Sequence, residues 1–396
     1  MRAHYIVLLA AALVAVTGAA GDDHLGTRLL RTHKSTTSAN EEERVNFAGF
    51  EIKIGLLDDI IERMNQSPMF KAQVDKRASA QDAYTAFKVD KVADNVFESA
   101  QWKEWAEYVR LMAKNKNEVP DENLAAGMSA VLTSAGLSNL LANTAKNDKT
   151  RDIVSKLEAA QLSRWLNGGY TPDAIFNTLA LEKADDIFGT APFATWTKFL
   201  TQYNKKHPKK MVSELDVLTS SYGEQKFIKM LSSADKSHPD VSQKLRDELV
   251  KGWMDDVMHP SSLFTRLKLH EAGDDLLTSP LLTTWVQYMQ AFNEKYPKFK
   301  TTMIQTFTKS YDDQQIAVMI QAAKKSTNGR MVDFATNLQT AQFKQWMADK
   351  KTPTEMLSVL KLTSQTFTDN PAADIWRAYN KAYVKKFPSG EFAFQP

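Results

Sequence analysis

Four tryptophans keep time along this chain. Trp105, Trp196, Trp285 and Trp376 are separated by 91, 89 and 91 residues, and an aromatic ring follows each three residues later, at Tyr108, Phe199, Tyr288 and Tyr379. A second series, Trp165, Trp253 and Trp346, is spaced 88 and 93 residues apart. Prolines repeat in phase with both: Pro172, Pro260 and Pro353; Pro192, Pro280 and Pro371; Pro208, Pro297 and Pro388. Self-similarity at a fixed period is the signature of one module copied end to end. The period of roughly 90 residues is longer than that of the short solenoid repeats.

The stretch 279–297, SPLLTTWVQYMQAFNEKYP, shows what a module contains. Leu282, Trp285, Tyr288, Met289, Phe292 and Tyr296 fall at helical spacing, so one face of a helix is apolar and largely aromatic. Ser279 suits its N-cap, Pro280 its first turn, and Pro297 stops it. Such a face needs partners, and the repeat supplies them. A leading helix carries a Leu and, eight residues on, a Trp: Leu157/Trp165, Leu245/Trp253, Leu338/Trp346. Eight residues is two turns, so each pair shares one face. A short proline-opened helix comes next, then the aromatic helix, then further helices bearing Tyr222 and Tyr311.

The Trp and Tyr stripes are expected to be buried core, because that is the usual fate of periodic aromatic positions. The Leu/Trp pairs are expected to pack one module onto the next, forming the joints. The fold expected is all-α, an elongated tandem array of helical bundles. Its modules span 45–145, 146–235, 236–325 and a truncated 326–396. The first module has no leading-helix Trp and carries Gly136 or Leu137 where later ones place Tyr222 and Tyr311. Atypical end modules are normal in arrays, since each end has a single neighbour.

Composition narrows the function classes. The formal charge of +3 offers no concentrated basic face, so no nucleic-acid partner is expected. Cysteine is absent, which excludes disulfides and thiol chemistry and frees the fold from dependence on redox compartment. There is no HExxH, GxSxG, P-loop or glycine-rich dinucleotide turn. No enzyme activity, cofactor or metal site is therefore expected. Asp94, Asp185 and Asp274 recur in the link before the aromatic helix and read as cap or turn residues.

Residues 1–20 read as a secretion signal: Arg2 and His4, then an apolar run from Tyr5 to Val16, then small residues to Gly21. The run is too short for a comfortable membrane span, and no later stretch qualifies. Residues 21–44 read as a disordered leader, polar and poor in large apolar side chains. Asn65-Gln66-Ser67 is a formal glycosylation acceptor. Lys205-Lys206-His207-Pro208-Lys209-Lys210 reads as a solvated loop, with a nuclear localisation signal as the alternative.

Two short motifs in the leader carry a resemblance. Arg28-Leu29-Leu30-Arg31 matches Arg-x-Leu-Arg, and Glu42-Glu43-Arg44 matches Glu-Glu-Arg downstream. With the signal in front and Trp/Tyr repeats behind, the whole chain resembles the RxLR-dEER effectors of plant-pathogenic oomycetes of the Phytophthora type. The repeats look like one WY unit followed by LWY units. Phe199 in place of Tyr, and the missing later tyrosine of the first module, depart from that pattern.

The resemblance implies secretion by the pathogen and delivery into the plant cell, to its cytoplasm or nucleus, where immunity is suppressed. Arg28, Leu29, Leu30, Arg31, Glu42, Glu43 and Arg44 would then form the translocation motif, linked in the family to delivery, phosphoinositide binding and processing. It further implies a non-catalytic scaffold, expected to be a monomer, that binds host plant proteins. In some members a pair of adjacent LWY units holds the protein phosphatase 2A core, which makes the phosphatase scaffold subunit the first partner to consider. The alternatives are an enzyme acting on a host component and a phosphoinositide or membrane binder working through the leader.

Overall fold

Helices dominate because most segments present an apolar stripe at helical spacing and open on a proline or a side-chain cap. The computed structural model describes residues 43–47, 50–363, 367 and 370–388. Among these residues lie nineteen α-helices, several short 3-10 turns and one two-stranded hairpin. The fold is all-α, as expected. It divides into two compact units, one ending at Met211 and one beginning at Val212.

The first unit starts with the hairpin. Strand β1 (Arg44–Phe47) pairs antiparallel with β2 (Phe50–Lys53), Arg44 opposite Lys53 and Val45 opposite Ile52. Arg44, expected as the last residue of the leader, lies in β1. The Ile54 amide donates to the Glu43 carbonyl (3.0 Å), and the Arg44 guanidinium donates to the Asn115 carbonyl (2.9 Å). Asn115 is buried; its side chain accepts from the Lys53 amide (2.8 Å) and donates to the Glu51 carbonyl (2.9 Å). Strands of four residues are too short for period-two alternation to stand out in the sequence.

Nine helices follow: α1 (Ile54–Gln66), α2 (Pro68–Lys76), α3 (Ala80–Ala86), α4 (Ala100–Asn115), α5 (Pro120–Leu132), α6 (Ser134–Thr144), α7 (Arg151–Asn167), α8 (Pro172–Thr178) and α9 (Ala191–Lys206). Helix α5 packs on α3, α4 and α7, and α6 packs on α7 and α9. Gly127 on α5 permits that approach. A Cβ there would lie 2.8 Å from the Ala80 Cβ and 3.0 Å from the Trp105 ring.

The second unit comprises α10 (Glu214–Tyr222), α11 (Glu224–Ala234), α12 (Pro239–Asp255), α13 (Pro260–Arg266), α14 (Pro280–Lys295), α15 (Met303–Phe307), α16 (Asp313–Ala323), α17 (Gly329–Ala348), α18 (Pro353–Val359) and α19 (Pro371–Lys386). Helix α11 packs on α12 and α14, and α16 packs on α17 and α19. The closing helix of one repeat is thus covered by the leading and aromatic helices of the next. This explains why the chain divides inside the expected module 146–235. There α10 and α11 pack forward, so the packing unit is out of phase with the sequence repeat. The expected cap is not made: Ser279 holds the N-cap position of α14 in an extended conformation, but its side chain makes no cap bond.

Candidate functional site: the aromatic clasps and the joints

The aromatic helices α4, α9, α14 and α19 place their rings by the same bonds each time. The indole N–H donates to the first carbonyl of the short helix: Trp105 to Ala80 (2.8 Å), Trp196 to Pro172 (2.9 Å), Trp285 to Pro260 (2.8 Å), Trp376 to Pro353 (2.7 Å). A ring on the short helix meets three of these indoles edge-on, Tyr84, Phe176 and Phe264, at 5.0, 5.1 and 5.2 Å. All four tryptophans are buried. Burial satisfies the hydrophobic demand, and the carbonyl satisfies the one polar atom the ring carries.

The ring three residues later makes a second fixed bond. The Tyr108 hydroxyl donates to the Ala78 carbonyl (2.7 Å), Tyr288 to that of Met258, and Tyr379 to that of Lys351 (2.6 Å). Each acceptor directly follows a residue in the left-handed region: Arg77 (φ 53°), Val257 (φ 49°) and Lys350 (φ 57°). The hydroxyl therefore latches the tight turn between leading and short helices. Burial pushes the Tyr108 and Tyr288 phenols up to about 12, and raises that of Tyr379 too. Phe199 has no hydroxyl, and the matching turn residue there is Gly169 (φ 71°), which adopts this conformation without penalty.

The leading-helix residues Leu157, Trp165, Leu245, Trp253, Leu338 and Trp346 are all buried. Their indoles meet the aromatic helix edge-on: Trp165 with Phe199 (5.8 Å), Trp253 with Tyr288 (5.6 Å), Trp346 with Tyr379 (5.2 Å). Two also reach back to the first residue of the preceding helix. The Trp253 N–H donates to Glu224 Oε1 (2.7 Å), and that of Trp346 to Asp313 Oδ1 (2.7 Å). Arg266 holds the same Glu224 carboxylate through Nε (2.9 Å) and Nη2 (3.1 Å), so three helices meet on one side chain. In the first module Gln73, buried, stands where later modules carry the leading Trp, and Phe70 supplies the ring against Tyr108 at 5.5 Å.

Some expected residues sit elsewhere. Tyr311 is buried and donates to the Leu269 carbonyl (2.6 Å), but Tyr222 is only half-buried, with the Lys226 ammonium 5.3 Å over its ring. Tyr222 is the last residue of a helix, whereas Tyr311 lies in a loop that can turn inward. Arg28, Leu29, Leu30, Arg31 and Glu42 lie outside the described residues; Glu43 and Arg44 belong to the hairpin. Asn65 is exposed on α1. Asp94, Asp185 and Asp274 are exposed in their links, and no three His, Cys, Asp or Glu among the described residues converge as a metal site would require. An open cleft at the foot of the hairpin is lined by Glu43, Lys53, Lys114 and Glu118, charges of both signs.

The sequence reading missed two periodic features. Buried pairs precede three of the four aromatic helices: Val96/Phe97, Ile187/Phe188 and Leu276/Leu277, nine and eight residues before Trp105, Trp196 and Trp285. The same alignment that located the tryptophans would have found them. The second is a left-handed residue after each short helix, Lys88, Ala180, Lys268 and Lys361, with φ between 52° and 59°. No glycine marks it, so no composition signal existed.

Comparison with known proteins decides what these modules belong to. Over 367 residues, 90% of this chain, the sequence is 30% identical to RxLR effector protein PSR2 of Phytophthora sojae, and it covers 53% of that protein. It is likewise 30% identical over 333 residues to RxLR effector protein PSR2 of Phytophthora infestans (strain T30-4), covering 82% of this chain and 43% of that one. Its homologues over most of its length are RxLR effector proteins of Phytophthora.

The crystal structure of PcRxLR12 matches this chain with a TM-score of 0.57 at 27% identity, over 83% of this chain and 79% of that one. No family model matches. The chain spans about half the length of the curated relatives it matches. No single helix among its described residues is long and apolar enough to cross a membrane.

Proposed function

We propose that this effector is secreted by the pathogen and works inside plant cells as a non-catalytic scaffold that binds host proteins and suppresses immunity. The observation behind this reading is the use made of the recurring rings. Most of their polar atoms are bonded to main-chain carbonyls or to structural carboxylates, so they serve to hold the helices together, and among the described residues no three His, Cys, Asp or Glu converge. The exposed helix faces and loops remain available to partners. Export and delivery would rest on residues 1–20 and on Arg28-Leu29-Leu30-Arg31 with Glu42-Glu43-Arg44. The modules would be 45–145, 146–235, 236–325 and 326–396.

The first partner proposed is the scaffold subunit of protein phosphatase 2A, held by the adjacent modules 146–235 and 236–325. Affinity purification of the chain from plant tissue tests this. Recovery of the phosphatase scaffold and catalytic subunits, lost when residues 146–325 are removed, is the expected result. Recovery of other host proteins without the phosphatase overturns that partner, and recovery of none overturns the scaffold reading.

A further inference from the structure

The turn after α14 exposes what a folded protein normally covers. Phe299 is 66% exposed, and Lys298 and Lys300 flank it. Nothing about the turn is loose. Pro297 fixes its start, and the Phe299 amide donates to the Tyr296 carbonyl (2.9 Å). The Tyr296 ring packs on Phe292 at 4.9 Å. Beyond the turn, Asn293 grips Thr301 from both sides, donating to its carbonyl (2.7 Å) and accepting from its amide (3.0 Å). Thr302 and Gln305 then close a capping box.

An aromatic side chain held outward on a rigid turn loses little conformational freedom when it binds. Its surroundings are one-signed. Residues 291–302 contain Lys295, Lys298 and Lys300 against a single carboxylate, Glu294. Among the described residues, Lys298 and Lys300 have no ion-pair partner.

The corresponding turn after α9 has the same chemistry. The Tyr203 and His207 rings lie tilted at 4.6 Å as Phe292 and Tyr296 do, the Lys210 amide donates to the His207 carbonyl (2.9 Å), and Met211, one residue beyond the position that matches Phe299, is 68% exposed. Residues 199–213 contain Lys205, Lys206, Lys209 and Lys210 and no Asp or Glu. Lys206 is tied to the Leu166 carbonyl (3.1 Å); Lys209 and Lys210 are exposed.

We propose that the 296–300 turn is a docking knob for a partner protein whose surface offers an apolar socket rimmed by Asp and Glu, and that the 207–211 turn is a second knob of the same kind. This rests on the scaffold reading and names the chemistry of the partner. A single aromatic anchor in a socket is what dominates a protein–protein contact, and the lysines would supply steering and register. One ring and three charges are too small a footprint to hold a nucleic acid or a bilayer unaided.

The test replaces Phe299 in the full chain with photoreactive benzoylphenylalanine, irradiates it in leaf extract, and maps the adducts. The expected adduct lies on a folded protein, at an apolar residue surrounded by carboxylates. Its yield should fall at least about fivefold with Lys298→Glu/Lys300→Glu, and again in about 0.5 M salt, since exposed charges are screened there. The thermal midpoint of the charge-reversed chain should not change. Adducts on lipid or nucleic acid alone overturn the proposal, as do protein adducts indifferent to charge reversal. Host-protein adducts from a probe at exposed Tyr170 with none at position 299 sink the knob and leave the scaffold standing. No host-protein adduct from either position, together with no host protein recovered by affinity purification, sinks both.

Discussion

Tyr288 and Val257 form one device made of two residues. Val257 is β-branched and sits at φ 49°, a conformation that L residues reach only at a cost of about 1–2 kcal/mol. The Tyr288 hydroxyl bonds to the next carbonyl along, that of Met258, and holds the turn shut. The second module does without the latch: Phe199 lacks the hydroxyl, and Gly169 needs no holding. Phe199 reads in the sequence as a lapse from the pattern, because the compensating glycine lies thirty residues upstream with no local mark. Val257→Gly should raise stability by about 1 kcal/mol. Tyr288→Phe should cost about 1–3 kcal/mol in the native chain and measurably less on top of Val257→Gly, as a double-mutant cycle by urea unfolding would read. Additive effects would separate the two residues. Trp285→Ala, which empties a fully buried site and orphans the Pro260 carbonyl, should cost about 3–5 kcal/mol. The buried phenols also set an alkaline limit. Burial raises Tyr84, Tyr108 and Tyr288 to about 12 from 10.0, so the folded state keeps protons that the unfolded chain releases. Their contribution is complete below pH 10 and is lost as pH rises towards 12. Tyrosinate absorbance should therefore show a late-titrating class that unfolds the protein as it ionises; a single transition near pH 10 in the folded state would contradict this.

Helices were the easiest elements to read. Their prolines, apolar stripes and Trp spacing lie in the sequence, and the aromatic helix expected over 279–297 is α14, Pro280–Lys295. Turns were harder. The hairpin escaped notice because each strand is four residues long, and the left-handed positions escaped because Lys, Ala, Arg and Val occupy them in place of glycine. Joint residues were legible as a Leu/Trp rhythm, but their acceptors were not, since Glu224 and Asp313 are unremarkable acids in a charged sequence. Glu224 joins α11, α12 and α13 through one carboxylate. Glu224→Ala should leave the Trp253 N–H unpaired and cost about 1–3 kcal/mol. Trp fluorescence and chemical unfolding together would detect it, and an unchanged midpoint would mean the contact adds nothing to the joint.

At the scale of the molecule, the repeat that is copied and the unit that packs are not the same stretch. The sequence period puts a boundary near 235, while the compact units divide after Met211. The reason is the forward packing of α11 onto α12 and α14. A fragment 212–396 retains that cover, whereas a fragment 236–396 leaves Trp253 without Glu224 and strips one face of α14. The longer fragment should melt several degrees higher by circular dichroism, and equal midpoints would show that α11 is dispensable to the unit. The clasps themselves suit a protein made by copying. Their acceptors are main-chain oxygens, contributed by Ala78, Met258 and Lys351 in one series and by Ala80, Pro172, Pro260 and Pro353 in the other. Every amino acid carries that oxygen. The bond therefore does not depend on which side chain the acceptor residue carries, and duplicated modules can drift apart in sequence while keeping the same clasp.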